Sequence, residues 1–276
     1  MKRIFVDQLE NRIEIEFPPK RIVSLVPSQT ELLFDLGLDL EIVGITKFCI
    51  HPEDKVDSRI KVGGTKKLNL EMIRSLKPDL IIGNKEENER GDIELLQTEF
   101  PVWMSDICDL DDALRMIESV GEVTDRSPEA GYLIHLIKAG FSDLQRLAVE
   151  KQIKYKALYM IWRKPYMAAG RGTFIDDVLR KTGITNVLEQ TRYPVLDGAT
   201  ISALKPDMVM LSSEPYPFVE KHLAEFKDIV PGGRVLIVDG EMFSWYGSRL
   251  VKAIEYLFYL QQALLTEKAA VDNKDR

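Results

Sequence analysis

Two stretches of the chain share one pattern of apolar and polar positions. Residues 69–82 and 197–210 each begin with a capping residue, Asn69 or Asp197, followed by a short run with helical spacing. Each continues through Leu-Lys-Pro-Asp (76–79 and 204–207) into a run of apolar residues. The proline forbids continuation of the helix, and the apolar run reads as a buried strand. A helix–Pro-Asp–strand unit repeated at roughly half the chain length predicts two similar α/β lobes.

The remaining pattern fills in those lobes. Residues 3–6 and 12–17 alternate around Glu10-Asn11 and predict a β-hairpin closed by Pro18-Pro19. Residues 21–26 read as a strand, and a helix capped by Ser28, with Glu31 at the capping-box position, should follow it. Further strands are expected at 41–45, 79–82, 101–104, 156–162, 166–169, 207–210 and 234–238, alternating with helical stretches. Ser127-Pro128 opens a helix of about 22 residues, with Ala130, Leu133, Ile134, Ile137, Phe141, Leu144 and Ala148 on one stripe. Lying midway between the repeats, it is the natural connector. The expected fold class is α/β: two Rossmann-like lobes with mainly parallel sheets, one long connecting helix and a ligand cleft between the lobes. The expected boundaries are 1–123 for the first lobe with its hairpin, 124–152 for the helix and 153–276 for the second lobe. Ligands of parallel sheets gather at the carboxyl ends of strands. That selects the loops 27–30, 46–52, 83–90, 162–172, 212–217 and 239–249.

Composition and charge narrow the chemistry. The 276 residues are 45% apolar and 29% charged, enough for sizeable cores, and the net charge of −7 points away from nucleic acid as a partner. No run approaches the ~18 apolar residues of a membrane span. The apolar run Ile4-Phe5-Val6 is too short for a signal peptide, which leaves a cytoplasmic location open beside an extracytoplasmic one. Two cysteines, Cys49 and Cys108, do not form a disulfide framework, although a single bridge is compatible with them.

The strand-end loops carry the candidate chemistry. Trp162, Arg163 and Tyr166 come from one, Tyr193 from the segment before the second repeat, and Glu214 and Tyr216 from another. Glu241, Phe243, Trp245, Tyr246 and Arg249 come from the last. Flat aromatic walls with fixed guanidinium donors suit a large planar or polycyclic ligand bearing anionic groups. Gly170-Arg171-Gly172-Thr173 opens a helix after a strand, where Arg171 could meet an anion, but it lacks P-loop spacing. With only His51, His135 and His222, a protein-built zinc site is not expected. Phe48 and His51 would face the ligand from the first lobe, and His51 or Cys49 could reach a chelated metal as an axial ligand.

These residues resemble a known family. The segments 21–32, 43–46 and 69–82, the helix opening from Phe174 to Gly183, and the second Lys205-Pro206-Asp207 are similar to the class III periplasmic binding proteins of ABC importers for vitamin B12, siderophores and haem. Within that family the B12-binding receptors look nearest. The resemblance implies a non-enzymatic substrate-binding protein, monomeric and extracytoplasmic. It would have no intrinsic cofactor, and it would hand cobalamin, a ferric siderophore or haem to an ABC permease. Phe48 then falls at a ligand-stacking Tyr position and Tyr193 at a Trp position, whereas Thr65 stands where a further ligand Trp would be. Glu71 matches one permease-docking Glu; the second such position is Ala199.

Two other readings keep the same loops. One is a cytoplasmic corrinoid or tetrapyrrole carrier or sensor. The other is an enzyme acting on a small anionic substrate, with Glu214 or Glu241 as base.

Overall fold

The computed structural model describes residues 1–272, and the side chains of residues 1–266. The chain forms two compact units. The first comprises Met1–Ile107, Asp111–Leu136 and Tyr246–Arg249; the second comprises Cys108–Leu110, Ile137–Trp245 and the chain from Leu250 onward. The long helix runs Ser127–Glu150. Its residues to Leu136 belong to the first unit and those from Ile137 to the second. Ala130, Ile137, Phe141, Leu144 and Ala148 of its predicted stripe are buried.

The first unit holds a five-stranded parallel sheet in the order Ile60–Lys61, Ile42–Ile45, Ile22–Ser24, Leu80–Asn84, Val102–Ser105. The strands Ile22–Ser24 and Leu80–Asn84 are buried along their whole length, as expected where both faces of a parallel sheet are covered. Val23, Leu25, Ile73, Leu76, Ile81 and Leu96 build its core. The predicted hairpin is present as Lys2–Val6 paired antiparallel with Arg12–Glu16. Its turn is bound to the sheet's last strand. Asp7 is buried and accepts from the backbone of Leu9, Asn11 and Met104, while Gln8 N–H donates to the Met104 carbonyl. The hairpin thereby occupies part of an otherwise open edge.

The second unit has the same plan. Ile184–Asn186, Met208–Ser212 and Arg234–Val238 run parallel to the sheet's central strand direction, set by Tyr155–Trp162. Tyr166–Ala168 pairs antiparallel with the central strand on the edge opposite Met208–Ser212, the edge that Ile184–Asn186 also joins, and Val195–Leu196 pairs antiparallel with Tyr166–Ala168. Leu158, Met160, Ile201, Val209, Leu211 and Phe226 lie in its core. Fully burying one such side chain contributes about 1.5–3 kcal/mol.

The structure gives the repeat a physical meaning. Helix Leu70–Leu76 is capped by Asn69, whose side chain accepts from Met72 N–H, and helix Gly198–Leu204 by Asp197, which accepts from Thr200 N–H. Both helices end on a lysine in the left-handed conformation, Lys77 with φ 47° and Lys205 with φ 46°. The aspartate after each proline then ties the new strand to its neighbour. Asp79 accepts from the N–H groups of Lys20 and Arg21 at 2.7 and 2.8 Å; Asp207 accepts from Lys156 N–H at 2.7 Å. Each aspartate also donates its own N–H to the same neighbour, at the Arg21 or Lys156 carbonyl. The motif is a staple that starts a parallel strand pair in register.

One local expectation needs correction. The helix after the first strand runs Pro27–Asp35, with Val26 at the N-cap and no capping side chain. Pro27 sets the start because its fixed φ suits the first helical position. Glu31 is therefore not part of a capping box; its carboxylate is bound to Arg249.

Candidate ligand-binding site

In the second unit the strand order reverses at Tyr155–Trp162. The chain first builds the Tyr166–Ala168 side and then crosses to Met208–Ser212 on the other. The crevice at such a switch point, outside the carboxyl ends of the two strands, is the preferred ligand position of an open α/β sheet. Here its two loops carry Trp162 and Tyr216. Their rings meet edge-on, with centroids 5.6 Å apart and an interplanar angle of 67°. Trp162 is 39% exposed. Tyr216 is half-buried and packs in turn on Phe218 at 4.7 Å. An indole at the mouth of the crevice, held from behind by a tyrosine, is a flat apolar wall open to solvent.

Ion pairs fix that wall. Arg163 Nε and Nη2 donate to Glu225 Oε2 at 2.8 and 2.7 Å, and the Tyr166 hydroxyl donates to Glu225 Oε1. Both ends of the 162–166 turn are thus pinned to one carboxylate on helix Leu223–Ile229. Partial burial disfavours the charged form of Glu225, but the bonds from Tyr166 and Arg163 outweigh it and hold its pKa below the usual carboxylate value. Burial and the neighbouring Glu225 push the Tyr166 phenol up to about 12. Glu225 carries no sequence signal of its own; only its position across from Arg163 and Tyr166 reveals it.

A second group lies beside this one. Glu214 Oε1 accepts from Ser244 Oγ at 2.7 Å and from Trp245 Nε1 at 2.9 Å. Trp245 is 7% exposed. Glu214, offered as a catalytic base, is engaged as a bond acceptor for structure. Glu241, the other candidate base, opens the helix Glu241–Ser244 and is half-buried. Tyr193 is half-buried on the segment before the second repeat.

The three arginines assigned to anion recognition are all paired. Arg163 is held by Glu225. Arg171 binds Glu189 at 2.6 Å on the surface. Gly170 beside it is needed for close packing, since a Cβ there would stand 2.2 Å from the Gln190 carbonyl oxygen. Arg249 is buried in the first unit and forms a two-pronged pair with Glu31, through Nε at 2.8 Å and Nη2 at 2.7 Å. Arg249 and Tyr246 are both buried, at 5% and 7% exposure.

In the first unit the loop after Ile42–Ile45 exposes Phe48, with Lys47 Nζ 5.0 Å from its ring centroid, and half-buries His51. Cys49 is turned inward. Its sulfur lies 3.1 Å from Thr30 Oγ1 and 3.2 Å from Thr46 Oγ1, and burial pushes the thiol pKa up. A protonated, buried thiol is not placed to coordinate a metal. Neither cysteine forms a disulfide. Among the described residues no three His, Cys, Asp or Glu side chains gather as metal ligands.

Sequence reasoning also missed a buried amide network under the first unit's strand ends. Asn84 Nδ2 and Gln29 Nε2 both donate to Ser105 Oγ, and Asn84 Oδ1 receives the N–H groups of Glu86 and Glu87. Asn88 Nδ2 reaches the Leu25 and Thr65 carbonyls. This fixes the 83–88 loop, on which burial raises the pKa of Glu87. On the surface, Glu71 is 87% exposed at the side chain and bonds to Arg74 at 2.6 Å, and Arg74 also binds Glu99. Ala199 is exposed at the equivalent place in the second repeat.

Among the described residues, no helix is long and apolar enough to cross a membrane.

Comparison with known proteins agrees with this architecture. The chain is 25% identical over 269 residues to the ABC transporter substrate-binding lipoprotein YvrC of Bacillus subtilis, covering 92% of this chain and 84% of that one. It is 26% identical over 201 residues to the vitamin B12-binding protein of Vibrio cholerae, covering 71% of each. Among solved structures, the periplasmic haem-binding protein RhuT of Roseiflexus sp. RS-1 superposes with a TM-score of 0.78 at 22% identity, over 89% of this chain and 99% of that one. The vitamin B12-binding protein BtuF of Vibrio cholerae superposes with 0.77 at 21%, over 90% and 99%. A family model described as periplasmic binding protein matches residues 22–229. This chain belongs to the periplasmic binding protein family.

Proposed function

We propose that this chain is the substrate-binding protein of an ABC importer and that its cargo is a metal chelate or corrinoid: cobalamin, an iron siderophore or haem. The observation that carries the reading is the half-exposed Trp162 on its Tyr216 support, at the switch point of the second sheet. Membership of a binding-protein family supports it, as do relatives named for B12 and haem. The protein binds and does not catalyse. Trp162 supplies the ligand face, and the protein works outside the cytoplasmic membrane. Glu71 serves as a docking contact for the permease and must exchange its bond to Arg74 for one to the partner.

Arginine pairing refines the ligand. A charge-neutralised wall gains its affinity from buried apolar area rather than from ion pairs. The test is titration of the purified chain with cobalamin, haem and ferric siderophores, followed by tryptophan fluorescence. One of these should quench the emission at micromolar concentration; no response to any of them would refute the reading.

A further inference from the structure

The ring of His222 is built into the back of the wall. It is 5% exposed. Val219 N–H donates to Nδ1 at 3.0 Å, so that nitrogen is bare and the ring proton sits on Nε2, 3.4 Å from the Tyr216 hydroxyl oxygen. Phe218 meets the same ring edge-on at 89°, and Tyr216 lies 5.6 Å from it. One neutral imidazole therefore closes the 216–222 loop and backs Tyr216, which in turn backs Trp162.

We propose that His222 is the positioning residue that holds Tyr216 against Trp162, and that binding at this wall is lost on acidification. Protonation puts a hydrogen on Nδ1, facing the Val219 N–H. Two donors then oppose each other and the loop's bond cannot persist. The charged groups around the ring reinforce this. Arg163 from the turn after the central strand and Lys221 from the loop itself oppose a second positive charge; only Glu225 on the following helix favours it, and Glu225 is already committed to Arg163 and Tyr166. Burial, Arg163 and Lys221 together lower the His222 pKa below its ordinary value. The ring thus stays neutral at neutral pH and switches only on acidification.

The inference rests on the reading of Trp162 and Tyr216 as the ligand wall, but its first test needs no ligand. The emission difference between the wild type and Trp162→Phe isolates Trp162; it is followed from about pH 8 to about pH 5. The expected result is a single transition at the pH where His222 titrates by NMR, its resonance being the one missing from His222→Asn. In that variant the amide oxygen still accepts the Val219 N–H but does not titrate, so its Trp162 emission should stay flat. A flat wild-type signal, the same transition in His222→Asn, or a transition displaced from the His222 titration each overturns the proposal. In the second arm, cobalamin, haem or ferric siderophore affinity falls by up to about tenfold per pH unit below that midpoint, and not in His222→Asn. If no chelate binds while Trp162 titrates as described, the importer reading fails and the role of His222 stands. Binding that weakens equally in both proteins overturns the role of His222 alone.

Discussion

Arg249 offers the sharpest separation between a ligand-facing and a structural arginine. Its side chain and that of Glu31 are 6% and 4% exposed, and the guanidinium forks onto both carboxylate oxygens. The segment carrying it is held close to the first helix of the unit, since a Cβ at Gly247 would lie 2.9 Å from the Ser28 carbonyl oxygen. Arg249→Met keeps most of the volume but leaves Glu31 as a buried charge with its main partner removed. Breaking a buried pair in this way costs about 3–5 kcal/mol, whereas replacing both partners with apolar residues is often close to neutral. For a protein of this size each kcal/mol lowers Tm by about 2–4 °C, so the single variant should melt roughly 10 °C early. Glu31→Leu combined with Arg249→Met should recover most of that loss. Urea unfolding followed through Trp103, a core residue of the same unit at 1% exposure, reports the change directly. An Arg249→Met protein with unchanged stability and much weaker chelate binding would refute the structural assignment.

Three further substitutions test the packing argument. Asp79→Ala and Asp207→Ala each remove the carboxylate of a strand-pair staple; at these exposed sites each should cost about 1 kcal/mol in urea unfolding, with effects that add because the two lie in different units. Gly170→Ala should destabilise by more than 1 kcal/mol, about the size of a strained or overpacked contact, because its Cβ would meet backbone oxygen rather than a movable side chain. An unaffected melting temperature in either case would show that the local geometry relaxes freely.

The fold was legible because its signals are local. Asn69 and Asp197 announce helix starts, Pro78 and Pro206 announce their ends, and the apolar runs behind them can only be buried strands. Even so, the reason for the aspartates in the motif was not legible, since Asp79 acts on Lys20 and Arg21, some 60 residues earlier in the chain. Distance along the chain hid the site chemistry in the same way. Arg163 and Arg249 read as ligand groups because Glu225 and Glu31 stand far from them in sequence, the latter by 218 residues. Cys49 read as a possible ligand because alternation in a loop says nothing about which side is core. The aromatic wall itself was found from Trp162 and Tyr216, since both follow strand ends where ligands gather. The burial of His222 was not legible either, because it is the 3₁₀ turn Glu220–His222 that folds its ring inward.

The central claim is that Trp162 presents the face on which the cargo lies. Calorimetric titration of the wild type and of Trp162→Ala with whichever chelate quenches the wild-type fluorescence tests it most directly. Removing a half-exposed indole that becomes buried by the ligand should weaken binding by about 1–2 kcal/mol, or roughly five- to thirtyfold, with stability little changed. Equal affinities for the two proteins would contradict the account.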